Sequence, residues 1–268
     1  MGRAGSGALG ALIAAGTLLG VSAGPAHAAT LPTYLVKFKH CPFDNPAVIL
    51  CAYGSMTGSF TIASTTLTTP SPATLTLGLA TNASGLYAVS PTDGAPALSS
   101  PSIPVSILGL PSLPSPLGIT ATPTLVGTPQ VSLTNLLAGT GTAVGVSVYV
   151  QLNNFLLGNN CTIGTPTSPI NINLTTGTTA PPPPNQPVTG SRGTITTNSR
   201  THVTKVAGVK LVDNTFSVPG ASGCGLFGIL DPAFDLIEGL PSAAGHNAAG
   251  FSGNTWLVPA SIMRHYLG

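Results

Sequence analysis

The chain has 268 residues, with eight Lys and Arg against six Asp and Glu, and charged residues make up only 5% of it. This sparse, nearly balanced charge gives no electrostatic reason to expect nucleic acid or anionic lipid as a partner. The chain contains 33 Gly and 26 Pro, which favours turns and short strands over helices, and its many Val, Ile and Leu argue against general disorder.

The first 28 residues predict a secretory signal peptide. Arg3 precedes an apolar run at 9–21, and the Ala-His-Ala sequence at 26–28 offers the small residues that a signal peptidase reads. A membrane anchor is the alternative, but the run is short for a span of ~20 residues and rich in glycine. We therefore predict cleavage after Ala28 and an extracellular or cell-envelope location. The mature chain, 29–268, is expected to form a single β-rich domain without a transmembrane helix.

Four cysteines remain in the mature chain, namely Cys41, Cys51, Cys161 and Cys224. An even number of cysteines in an exported chain predicts disulfide bonds. Three pairings are possible, and we favour Cys41–Cys51 with Cys161–Cys224 because the first pair brackets one short segment. No two cysteines have the two-residue spacing of a zinc knuckle, which makes a metal site the weaker alternative.

Alternating apolar residues predict short strands in the N-terminal third of the mature chain. The predicted strands cover residues 34–38, 59–62, 74–80 and 85–89. In the strand at 74–80, Leu75, Leu77 and Leu79 fall on one face.

Residues 90–130 combine repeated prolines with apolar residues. Proline at this density prevents helix formation and interrupts sheet ladders. We predict a packed, extended loop with one or two edge strands near Val105 and Thr124. An apolar surface for lipid or a partner protein is the alternative for this segment.

The clearest strand runs from Val144 to Leu152, with valine or leucine at every second position. A shorter alternating strand is predicted at Ile170–Leu174, and a turn at 158–160. The prolines at 181–184 should be extended, because each ring fixes φ and removes a donor. They would form a rigid connector or, alternatively, a ligand for an aromatic groove.

Further strands are predicted towards the C-terminus, followed by one short helix. The helix would begin with Asp231 as its N-cap and end at Gly239, with Pro232 at the first helical position. Leu230, Phe234 and Ile237 would share one of its faces. The strands are predicted at 194–197 and 203–209, which would form a hairpin, at 212–220, ending in a turn, and at 255–258.

Catalytic chemistry finds little support in the sequence. A serine hydrolase could draw on histidines and acids, but no G-x-S-x-G elbow is present, and residues 220–224 lack its final glycine. Asp231, Asp235 and Glu238 are the only closely spaced carboxylates, and we interpret the last two as a solvated helix face rather than as a glycosidase pair. The histidines considered for a triad are His40, His202, His246 and His265. We predict no catalytic, cofactor-binding or metal-binding residues.

Five sequence blocks resemble uncharacterised secreted proteins of high-GC Gram-positive bacteria. The blocks are residues 177–185 (GTTAPPPPN), 156–161 (LLGNNC), 212–220 (VDNTFSVPG), an early Cys41-Pro42 and a late Gly-Cys-Gly at 223–225. The resemblance covers most of the mature chain and implies a secreted or envelope setting. It implies no activity and no catalytic residues.

These observations predict a mainly β fold, an antiparallel sandwich or barrel with long loops rich in proline and glycine and one short C-terminal helix. The expected function is a non-enzymatic secreted or cell-envelope role, structural or binding, with no cofactor. Envelope components or lipid are possible partners. The alternatives are a lipid-binding or envelope-inserted β-barrel protein and a hydrolase without a recognisable motif. An apolar lumen would favour lipid binding, and a filled core would favour the structural role.

Overall fold

The computed structural model describes residues 31–82, 85–105 and 118–267. The predicted signal peptide and residues 106–117 of the proline-rich segment lie outside them. In chain order the strands are β1 (Val48–Ile62), β2 (Thr65–Thr68), β3 (Ala73–Asn82), β4 (Gly85–Val89), β5 (Leu98–Ser99), β6 (Ile103–Val105), β7 (Ile119–Val131), β8 (Val144–Asn153), β9 (Thr162–Ile163), β10 (Ile170–Leu174), β11 (Thr194–Thr197), β12 (Thr204–Asp213), β13 (Ala221–Ser222) and β14 (Ala248–Pro259). The α-helices are α1 (Leu133–Ala138), α2 (Asp231–Glu238) and α3 (Ala260–Leu267), and two 3₁₀ helices span Thr33–Phe38 and Leu226–Gly228.

The strands form two antiparallel sheets that pack as a sandwich. Sheet A has the order β11-β12-β14-β1-β3-β4, with β2 also paired to β1 and β5 to β3. Sheet B has the order β13-β9-β8-β7-β6, with β10 also paired to β8. The mainly β fold predicted from composition and alternation is therefore confirmed as a sandwich. None of the helices in the described part of the chain is long and apolar enough to cross a membrane.

Sheet A buries apolar side chains on both of its faces. The inner core lies between the two sheets and includes Leu152, Ile170 and Val209. The outer core lies on the opposite face of sheet A, where α3 and the first 3₁₀ helix cover it, and includes Phe38 and Met263. Because successive strand residues point to opposite faces, a single strand such as β1 contributes to both cores.

Both predicted disulfides are confirmed, and each belongs to a different core. Cys41 and Cys51 are joined with their Cα atoms 5.6 Å apart, in the outer core. Cys161 and Cys224 are joined with their Cα atoms 4.1 Å apart, in the inner core. Two disulfides fit a protein that matures in an oxidising compartment.

Residues 34–38, predicted as a strand, form the 3₁₀ helix instead. Its buried side chains are Leu35 and Phe38, spaced by three residues as this helix requires, rather than at alternate positions. Pro32 precedes the helix as its cap residue. Packing of Leu35 and Phe38 into the outer core outweighs the strand propensity of the segment.

The edge strand predicted near Thr124 is β7, but it is thirteen residues long and pairs with β8, so most of the last third of 90–130 is strand rather than extended loop. The expected edge strand near Val105 is β6, but it reaches only as far as Ala121 on β7. Pro123 therefore lies beyond the residues of β7 that pair with β6. Its missing N–H costs no hydrogen bond to β6. Pro129 falls in a register shift between Val126 and Gln130, which accommodates the second proline.

Two other segments deviate from the predicted extended conformation. The strand expected at 212–220 ends at Asp213, whose carboxylate accepts hydrogen bonds from the Thr215 backbone and hydroxyl at 2.9 and 2.8 Å. This Asx-type turn competes with the ladder and stops the strand. The proline run at 181–184 turns at Pro183 and Pro184 instead of staying extended throughout.

Candidate apolar ligand site

An apolar cavity of about 190 Å³ lies between the two sheets. Its walls come from the inner faces of β1, β3 and β14 in sheet A and of β7, β8 and β10 in sheet B, with α1 at one side. The apolar residues that line it include Ala52, Gly54, Met56, Leu75, Leu77, Leu79, Ala121, Val144, Val146, Val148, Val150, Ile172, Leu174, Phe251 and Leu257. Among the residues that the structure describes, no Asp, Glu, Lys, Arg or His side chain lines the cavity.

Small residues at facing positions explain why this space exists. Ala52 and Gly54 occupy the inner face in the middle of β1, and Ala121 opposes them from sheet B. A Cβ added to Gly54 would meet Leu75 Cβ and Thr255 Oγ1 only at ordinary contact distances of 3.9 Å. The neighbouring strands therefore do not fill the volume that a larger side chain at Gly54 would occupy.

The faces predicted from sequence alternation form much of the cavity wall. The alternate residues of β8 from Val144 to Val150 line it, as do Leu75, Leu77 and Leu79 of β3. In β10, Ile172 and Leu174 pair with residues of β8 and line the same wall. The alternating apolar residues that predicted these strands are therefore also residues that line the cavity.

The sequence indicated only an edge strand near Thr124 for the wall contributed by β7, and it did not indicate α1. Interpreting most of 90–130 as a loop left Ala121, Pro123 and the following Val131 without a predicted sheet face. Helix α1 was not predicted, although Ser132 caps it by accepting a hydrogen bond from Asn135 N, and Gly139 ends it in the left-handed conformation. Its Leu136 is buried against the cavity. The serine and glycine that flank the Leu-rich run were the available signals.

The polar side chains that line the cavity are hydroxyls on partly buried residues: Thr69, Thr74, Ser100 and Thr255. Thr69 Oγ1 accepts a hydrogen bond from Gly58 N at 2.9 Å and donates one to Gly58 O at 3.2 Å. The fully buried walls, such as Leu79 and Ala121, are wholly apolar. Such a site can hold an apolar chain by dispersion and desolvation, with weak hydrogen bonding to these hydroxyls.

The three carboxylates near α2 are structural, and the solvated helix face predicted for Asp235 and Glu238 is wrong. Asp235 Oδ1 accepts from Ala221 N at 2.7 Å, and Glu238, only 7% exposed, accepts from the Thr65 hydroxyl at 2.9 Å. Asp231 lies inside the helix rather than at its N-cap, which is Leu230. Its two oxygens accept from Gly223 N and Cys224 N at 3.0 and 2.7 Å.

The predicted apolar face of α2 is only partly buried. Phe234 is 5% exposed, whereas Ile237 is 52% exposed and Leu230 is 36% exposed. The helix therefore packs through Phe234 and leaves two of the three predicted face residues accessible to solvent.

The histidines do not converge on these acids. His40 Nδ1 donates to Asp93 Oδ2 at 2.6 Å, and both side chains are exposed. This hydrogen bond, with a second from Ala95 N, holds the pKa of Asp93 below its usual value. His265 packs its ring edge-on against Tyr266. Within the described ranges, no three His, Cys, Asp or Glu side chains are grouped closely enough to hold a metal ion.

A lysine and aromatic cluster borders the outer core on the far side of sheet A. Lys37 Nζ lies 4.1 Å from the ring centroid of Trp256, and Lys205 Nζ lies 5.6 Å from it. Tyr53 contacts the same ring at 5.8 Å between centroids. Burial, and then repulsion from Lys205, lower the pKa of Lys37. The cluster includes Lys37 of the first 3₁₀ helix, and its four residues are not among those that line the cavity.

The fold and the cavity together define a disulfide-stabilised antiparallel β-sandwich with an apolar space between its sheets. No model of a known protein family, no curated protein and no solved structure matches the chain.

Proposed function

We propose that this protein is an exported, non-enzymatic binding protein that holds an apolar ligand, such as the acyl chain of a lipid, between its two sheets. The observation that carries the proposal is the cavity of about 190 Å³, whose walls are apolar and include no ionisable residue from the described ranges. Of the structural and binding roles expected from the sequence, it favours binding, and it favours the lipid-binding alternative, since a filled inner core was the feature expected of a structural role.

The size and lining of the cavity support a hydrocarbon ligand. An apolar cavity of about 150 Å³ can stay dry and bind benzene, so this one has room for a somewhat larger apolar segment. Burial of hydrocarbon there is favourable by about 25 cal/mol per Å² removed from water. A charged ligand would find no ionic partner among the lining residues, which selects for neutral or weakly polar chains.

Export is the second part of the proposal. It is supported by the predicted signal peptide at 1–28, by the resemblance to secreted actinobacterial proteins and by the two disulfides. An extracellular or cell-envelope setting would bring the protein to lipids and other apolar envelope compounds.

The test is a titration of the exported protein with a fluorescent fatty acid, followed by displacement with unlabelled fatty acids of increasing chain length. Gly54→Ile should fill the cavity without a clash at Cβ and weaken binding at least tenfold. Gly250→Ile is the matched control, because Gly250 lies on the outward face of β14 with open space around its Cβ. That variant should bind like the unchanged protein.

Two results would contradict the proposal. One is saturable binding that Gly54→Ile and Gly250→Ile leave equally intact. The other is the absence of any displaceable binding and of any co-purified apolar compound in native mass spectrometry. Thermal unfolding of both variants verifies folding, and Gly54→Ile should be no less stable than the unchanged protein because it removes both a void and a flexible strand glycine.

A further inference from the structure

Six large apolar side chains are exposed on the segments that meet around the Cys161–Cys224 disulfide, and we call them the end patch: Phe155, Leu156, Leu226, Phe227, Ile229 and Leu236. Their exposed fractions are 63, 64, 75, 98, 75 and 84%. They come from the turn after β8, from the short 3₁₀ helix and from α2. Isolated exposed apolar residues are ordinary on protein surfaces, but a group of this size indicates an interaction site.

The turns of the end patch are held together by covalent and hydrogen bonds. The Cys161–Cys224 disulfide joins the two loops, and Gly225 N donates to Leu157 O at 2.7 Å. Phe227 has φ 57° and ψ 26°, a left-handed conformation that a bulky residue rarely adopts. A strained backbone that presents a 98% exposed Phe points to a function for that side chain rather than to packing.

Several backbone groups of these loops find partners within the protein. Leu156 N donates to Asn154 Oδ1, Leu230 N donates to Cys224 O, and Ile229 N donates to Leu226 O. The segments 153–161 and 220–240 contain no Lys, Arg or His. Their acids, Asp231, Asp235 and Glu238, accept hydrogen bonds from within the protein, as described above. Backbone groups satisfied internally are the condition for entering hydrocarbon, where water cannot replace a missing partner.

We infer that the end patch inserts into the surface of an uncharged or zwitterionic lipid layer. Phe227 and Leu236, at 98 and 84% exposed, contact little of the protein, so a rigid protein partner would need a separate pocket for each, whereas fluid acyl chains fill the space around them. The absence of cations excludes attraction to anionic headgroups as the driving force, which leaves burial of apolar side chains at the interface. This inference does not depend on a ligand in the cavity.

The experiment is flotation of the exported protein with phosphatidylcholine vesicles. The unchanged protein should float with the vesicles, equally at low and high salt, because no exposed charge contributes. The double variant Leu226→Ser with Phe227→Ser should lower the vesicle partition coefficient tenfold or more, the factor expected for the loss of two buried apolar side chains. The matched control, Val188→Ser with Ile195→Ser, removes two other exposed apolar side chains and should float like the unchanged protein.

Phe227→Gly separates docking from folding. Glycine relieves the left-handed strain, so this variant should fold at least as well as the unchanged protein and still float less. Gly54→Ile should float normally, which distinguishes failure of this inference from failure of the cavity proposal. Flotation only with anionic vesicles, equal loss in the control pair, or a dimer that Leu226→Ser with Phe227→Ser dissociates would overturn the inference.

Discussion

The inner and outer cores share sheet A but differ in how completely they are filled. The outer core is small and closed by a short 3₁₀ helix and by α3. Arg264 of α3 donates to the backbone oxygens of Phe43, Asn45 and Val48 at 2.7 to 2.9 Å. The inner core is much larger, is enclosed by two sheets, and still leaves a cavity. The region with fewer residues is therefore the better packed one.

This difference separates stability from function. A closed core that also anchors the Cys41–Cys51 disulfide fixes the position of β1 from one side. The other face of β1 can then carry small residues such as Ala52 and Gly54 without collapse of the strand into the space. We interpret the outer core as the support that allows the inner core to remain open.

The largest expected effect is the loss of a side chain from the outer core. Phe38 is fully buried there, and Phe38→Ala should lower the free energy of unfolding by about 3–5 kcal/mol. Leu77→Ala in the cavity wall should cost less, near the lower end of the roughly 2–5 kcal/mol range for such changes, because part of Leu77 already faces empty space. Denaturant unfolding of both variants measures the difference. A greater loss for Leu77→Ala would contradict the contrast in packing.

The two disulfides give the next effect. The chain-entropy model assigns about 4 kcal/mol to Cys161–Cys224, which are 63 residues apart, and about 3 kcal/mol to Cys41–Cys51, which are 10 apart. Replacing Cys161 and Cys224 by Ser should lower stability by roughly 2–4 kcal/mol and expose the C-terminal half to protease.

The comparison is with the double serine variant of Cys41 and Cys51, under the same denaturant titration and limited proteolysis. That variant should lose less stability and should be cleaved first near the N-terminal segment instead. The reverse order of stability, or identical cleavage patterns, would show that the disulfides do not act separately on the two cores.

Adding one methylene to each core should have opposite effects. Val148 lines the cavity, so Val148→Ile has room for the extra carbon and should stabilise the fold by up to about 0.8 kcal/mol. Val258 is fully buried in the closed outer core, where Val258→Ile should destabilise it by roughly 1–3 kcal/mol. The same unfolding assay measures both changes. If the two changes have the same sign, the cores do not differ in free space.

The strands and their buried faces could be predicted wherever every second residue is apolar. The faces of β3, β8 and β10 follow directly from alternation, and the disulfide pairing follows from spacing. The short 3₁₀ helix at Thr33–Phe38 could not be predicted from alternation, because burial of every third side chain in the outer core overrides the strand propensity of the segment. Strand β7 was predicted only as an edge strand near Thr124. Its full length was missed because its two prolines are tolerated only through the short length of β6 and a register shift, which are properties of its neighbours.

The site was less predictable than the fold. A cavity depends on which small residues face each other across two sheets, and Gly54 and Ala121 are far apart in sequence. The end patch had a local signal, the Leu-Phe-Gly-Ile-Leu run at 226–230. Its exposure could not be inferred, because the same composition would equally suit a buried turn.

The smallest expected effect concerns the ion pair of His40 with Asp93, which lies outside both cores. Because the pKa of Asp93 is lowered in the folded state, its contribution to stability is present above its unfolded value of about 3.9 and disappears as the pH falls through the folded value. Both side chains are well exposed to solvent, which screens the pair. His40→Gln should therefore raise the pKa of Asp93 towards its usual value, as followed by carboxyl NMR, while the denaturant midpoint at neutral pH stays unchanged. A clear fall in that midpoint would mean that the pair supports the nearby Cys41–Cys51 segment and that the outer core extends to the surface at His40.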